Sequence, residues 1–134
     1  MFNPKDEVPD LELCEKLQEL GYPQETGGWY WLISTGFKGN PKHTICFLEN
    51  FDSATYIPYP YRYIKAPTVR ELGERLPSSI KKDRGLLYGK MLNGTYFCGA
   101  YKKEITFTEV TADKEANARA KMLIWLVENK YIEF

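Results

Sequence analysis

Leu86-Leu-Tyr-Gly-Lys-Met-Leu-Asn-Gly-Thr-Tyr-Phe-Cys-Gly-Ala-Tyr101 decides the fold class. Two runs rich in aromatic and aliphatic residues flank Asn93-Gly94, the dipeptide best suited to a hairpin because both turn positions want positive φ. The run therefore predicts two antiparallel strands, and a further strand over residues 104–109 extends them into a meander. Upstream, Trp29-Tyr-Trp-Leu-Ile-Ser-Thr35 is aromatic and β-branched and reads as another strand. Residues 36–42, with two Gly and a Pro, form a turn, and residues 43–48 are its return strand. A third extended stretch falls at residues 54–57.

Three helices complete the pattern. Residues 11–20 place Leu13, Cys14, Leu17 and Leu20 on one face, with Asp10 as the N-cap and Gly21 and Pro23 as the stop. Residues 66–77 carry Thr68 and Glu71 at capping-box spacing, with Val69, Leu72 and Leu76 facing one way and Pro77 ending the element. Residues 113–128 bury Ala116, Ala120, Leu123, Ile124 and Val127, and Glu115–Arg119 is an i,i+4 ion pair. Met122, Trp125 and Leu126 widen that apolar surface until the second half is covered nearly all round, so this helix is central to the fold or covered by a partner subunit. The expected architecture is α+β: one antiparallel sheet of about five or six strands with about three helices packed on it.

The 134 residues suit one domain, residues 1–134. Its 43% hydrophobic content is too high for a disordered chain. The longest apolar run, residues 122–127, is far short of the ~18 residues of a membrane span, and residues 1–10, with no apolar core or cleavage pattern, lead to the expectation of no secretory signal. No membrane partner is expected. Three widely spaced cysteines, Cys14, Cys46 and Cys98, read as buried apolar residues in a reducing compartment, which places the protein in the cytoplasm.

No catalytic pattern emerges. His43 is the only histidine, and at i,i+3 on a strand it points away from Cys46, which argues against both a metal pair and a nucleophile–base couple. Gly85-Leu-Leu-Tyr-Gly89-Lys90 has three intervening residues where a phosphate loop needs four. The four serines have no evident base. The expectation is a non-enzyme with no cofactor and no metal.

The zero net charge conceals a contrast. Residues 1–20 hold two lysines against six carboxylates, and residues 56–90 hold eight basic residues against three acidic ones. Within the basic stretch, Tyr56-Ile-Pro-Tyr-Pro-Tyr-Arg-Tyr-Ile-Lys65 is the candidate interaction surface, carried by Tyr59, Tyr61, Arg62, Tyr63 and Lys65. If it is extended, the three tyrosines share a face, and flat rings with polar tips suit contact with another molecule. Pro58 and Pro60 confine the segment to a sheet edge or a loop. The competing reading is a strand that simply covers the core. The expected partner is a second copy or another protein. The alternative is a nucleic-acid accessory factor using Arg62, Lys65, Arg70 and Lys81–Lys82, which overall neutrality disfavours.

Three stretches also resemble a family of small, uncharacterised proteins encoded by phages, prophages and gut-type bacteria. They are Leu11-Glu-Leu-Cys-Glu-Lys-Leu-Gln-Glu-Leu-Gly21 with Trp29-Tyr-Trp31, Ala66-Pro-Thr-Val-Arg-Glu-Leu-Gly-Glu-Arg-Leu-Pro77, and residues 112–130 with Ala-Arg-Ala-Lys-Met-Leu-Ile at 118–124. The resemblance implies a phage or prophage accessory protein whose partner is a phage or host protein, and it carries no catalytic residues.

Overall fold

The computed structural model describes residues 3–34, 42–49, 61–77, 79–81, 84–90, 94–102 and 105–134. The predicted stretch at 54–57, most of the turn at 36–42 and residue 59 lie outside them. Among the described residues the elements run α1 (Pro4–Glu7), α2 (Leu11–Glu19), β1 (Gly28–Ser34), β2 (Lys42–Leu48), β3 (Tyr61–Lys65), α3 (Val69–Arg75), β4 (Ser79–Lys81), β5 (Arg84–Lys90), β6 (Tyr96–Lys102), β7 (Ile105–Ala112) and α4 (Glu115–Glu128).

The fold is α+β and its strands pair antiparallel, as expected, but in two sheets rather than one. The first has the order β2-β1-β3 and the second the order β4-β5-β6-β7. Hairpin patterning fixes local pairs and leaves open which hairpins join, so the division was not readable from the strands themselves. The hairpin of β5 and β6 forms, with Lys90 opposite Tyr96. Asn93 of the expected turn lies outside the described residues. Gly94 does adopt φ 87°.

Core packing explains the layers. One cluster places Cys14, Val8 and Ala66 against Trp31, Ile33 and Ile64 of the first sheet. A second joins Leu17 of α2 and Leu72 of α3 to Ala116, Ala120 and Leu123 of α4. A third sets Met122 and Leu126 of α4 against Cys98 of β6. Most of the apolar surface of α4 is thus covered within the chain, by α2 and α3 on one side and β6 and β7 on the other, while Trp125 and Val127, the latter expected in the buried face, are half-buried.

The helix ends differ in how they are held. In α3 the capping box forms in both directions: the Glu71 N–H donates to Thr68 Oγ1 at 3.2 Å, and the Thr68 N–H donates to Glu71 Oε1 at 3.2 Å. Asp10 occupies the N-cap position of α2, yet its side chain makes no capping bond. Its carboxylate turns instead to α4, accepting from Asn117 Nδ2 at 2.9 Å and pairing with Lys114 Nζ at 2.8 Å. The acidic N-terminal segment is therefore tied to the start of α4 by a charge-assisted hydrogen bond and an ion pair. Asn3-Pro4 opens the unpredicted α1, with the Asn3 side chain accepting from the Lys5 N–H at 3.1 Å.

Candidate interaction surface

Among the described residues the first sheet has two edge strands, β3 and β2. In β3 residue alternation places Tyr63 and Lys65 on one side and Arg62 and Ile64 on the other. Ile64 enters the core under α2, and Arg62 is exposed. Tyr63 is half-buried, its ring edge-on to Tyr30 at 6.3 Å. Tyr61 pairs through its backbone with Ser34, and nothing is described of its side chain. Tyr59 lies outside the described residues. Among the described strands β3 is an edge, one of the two places the prolines left open.

Lys65 is corrected outright. It is 1% exposed and cannot lend charge to a surface. Its ammonium donates to the Gly27 carbonyl, pairs with Glu71 Oε2 at 3.1 Å, and lies 5.2 Å from the centre of the Tyr30 ring. Its backbone N–H donates to Gln24 Oε1 at 2.9 Å. Burial of an ammonium is tolerated only when its donors are satisfied and its charge is met, and both conditions hold here. The start of β1 makes room for it: Gly28 has φ 101°, and a Cβ there would sit 2.8 Å from Lys65 Nζ. No local signal in the sequence announces this cluster, because its members come from positions 24–30, 65 and 71.

The other cations of the nucleic-acid reading are also diminished. Arg70 pairs with Glu74 at 3.4 Å, Lys82 lies outside the described residues, and nothing is described of the Lys81 side chain. Arg62 and Arg70 are the exposed cations among the described side chains of that set, Arg70 with a carboxylate beside it.

Beside the lysine cluster lies a cleft of about 570 Å³ between Tyr22, Thr26, the Glu71–Arg75 side of α3 and residues 132–134. Its charges are largely committed. Glu71 holds Lys65 and the α3 cap, Glu74 meets Arg70, and the Arg75 guanidinium lies 5.2 Å above the Tyr22 ring. Burial, with Glu71 nearby, pushes the Tyr22 hydroxyl up to about 12 despite Arg75, so it is neutral at physiological pH. Among the described residues no group of three or more His, Cys, Asp or Glu could hold a metal ion. His43 and Cys46 lie on opposite faces of β2. Burial raises all three thiols, Cys14 to about 12 and Cys98 to about 11.

The second edge of the sheet, β2, was read in the sequence only as a return strand. It pairs with β1 in unbroken register from Gly28–Leu48 to Ser34–Lys42. Trp29 meets Phe47 edge-on at 5.2 Å, and Trp31 meets His43 edge-on at 5.3 Å. The row ends at Phe47, which is 58% exposed, and His43 and Thr44 are exposed beside it. The missed signal was an exposed position in an apolar strand, which alternation alone cannot assign when both faces carry large residues. Tyr30 and Trp31, on opposite faces of β1, are both buried.

No protein-family model, curated protein or solved structure matches the chain. Among the described residues no helix is long and apolar enough to cross a membrane.

Proposed function

We propose that this chain is a phage- or prophage-type accessory protein that works without catalysis, as a protein-interaction module presenting the outer edge of β2. The observation that carries the reading is a contrast between sheet edges. Folded proteins protect exposed edges by shortening or bulging them, because a regular edge offers free N–H and C=O groups to any other strand. β4 has three residues and a register shift, β7 pairs across a register shift, and β3 has five residues. β2 has seven residues, no register shift, no proline and a protruding Phe47. Strand addition to such an edge takes its affinity from main-chain hydrogen bonds and its specificity from the flanking side chains.

The phage or prophage assignment rests on the resemblance of the α2, α3 and α4 sequences. The interaction reading is tested by Phe47→Glu, which puts a charge at the exposed end of the aromatic row. Sedimentation velocity is expected to give self-association for the wild type, reduced in the variant, with equal thermal midpoints in dilute solution. Unchanged association in a folded variant would count against β2 as the surface.

A further inference from the structure

We infer that the partner of the β2 edge is a second copy of this chain, joined antiparallel across a two-fold axis through Ile45. This rests on the reading of β2 as an interaction edge and adds the identity and register of its partner. Two copies of one strand related by a two-fold axis normal to the sheet run antiparallel and keep their like faces on the same side. All seven residues of Lys42–Leu48 overlap in only one such register, in which Ile45 faces itself.

That register is chemically self-complementary. His43 of each copy falls opposite Phe47 of the other, on the face where Trp31 and Trp29 already pack against those two rings. The aromatic row therefore continues across the junction, and cross-strand aromatic pairs are among the contacts that stabilise a ladder. Thr44 falls opposite Cys46. Lys42 falls opposite Leu48. The product is a continuous sheet of six strands, three from each copy, in which each copy's exposed edge is covered by the other's.

Thr44→Cys tests both partner and register. Concentrated variant treated with oxidised glutathione is expected to give a covalent dimer whose linked peptides join the thiol introduced at position 44 of one chain to Cys46 of the other. Adding Cys46→Ser should abolish that link. A dimer linked through position 44 of both chains, or through Cys46 of both, would overturn the register. A variant that stays monomeric, with its introduced thiol labelled by maleimide equally fast in dilute and concentrated solution, would overturn the second copy and leave the edge open to another partner. Resistance of that thiol to labelling in the dilute monomer would overturn the edge reading as well.

Discussion

Replacing Lys65 with Met removes a charge while keeping most of the side-chain volume, so the cost isolates the ammonium. The ammonium donates to the Gly27 carbonyl, pairs with Glu71 at 3.1 Å and lies over the Tyr30 ring. Removing one member of a buried pair costs about 3–5 kcal/mol, chiefly because the other is left uncompensated. Here the surviving carboxylate is 34% exposed and still accepts from the Thr68 N–H, so water and the capping box soften its loss. The lower end, about 3 kcal/mol, is therefore expected, or a fall in Tm of roughly 8–12 °C for a domain of this size. Glu71→Gln should be comparably harmful because it strands the ammonium in a buried site. The double variant should lose less than the sum, with a coupling of about 2 kcal/mol. Urea denaturation of the four proteins measures the cycle. A loss below about 1 kcal/mol for Lys65→Met, typical of a surface ion pair, would refute the burial and return Lys65 to the exposed basic set.

Gly73 lies on α3 where a Cβ would come 2.1 Å from Arg119 Nη1, a guanidinium already bonded to the Val69 carbonyl and Glu115. Gly73→Ala should thus destabilise by about 1–2 kcal/mol, whereas in an Arg119→Ala background the same change should stabilise by up to about 1 kcal/mol through helix propensity; equal signs in the two backgrounds would contradict the contact. At Asp10, burial acts to raise the carboxyl pKa, but the hydrogen bonds from Lys114 and Asn117 and the lysine charges outweigh it and hold the group below its usual range. Its contribution is therefore fully present above an aspartate's ordinary value of about 4 and lost as pH falls through the depressed folded value. Asp10→Asn should cost under about 1 kcal/mol at neutral pH, a gap that closes in acid when urea midpoints are followed against pH; a constant gap would contradict the linkage. Burial pushes Cys14 to about 12 and Cys98 to about 11, so in the native protein half-buried Cys46 should be the thiol that reacts with a disulfide reagent. Rapid reaction of all three without denaturant would deny the packing around α2 and β6.

What the sequence disclosed was local. The Thr68–Glu71 box, the Glu115–Arg119 pair and the apolar face of α2 each depend on residues within one or two helical turns, and each stands as expected. Asp10 misled because its carboxylate is claimed by Lys114 and Asn117, more than a hundred residues away, and a long-range charged bond outcompetes a local cap. Lys65 misled for the same reason, since alternation along β3 fixes its face but says nothing of Gly27 or Glu71 waiting there. The tyrosine-rich stretch drew attention by composition, yet at Tyr63 and Lys65 it turns inward. The more exposed aromatic edge is the plain-looking strand on the far side of β1.

Amide hydrogen exchange on dilute protein tests the central claim most directly. In an antiparallel strand alternate residues point their N–H groups toward and away from the neighbour. Along residues 42–48 the amides facing β1 should be protected and the alternate ones should exchange at nearly the rate of an unstructured chain, slowing as the protein is concentrated. Uniform protection of all these amides at high dilution would contradict it, because the edge would then be covered within a single chain.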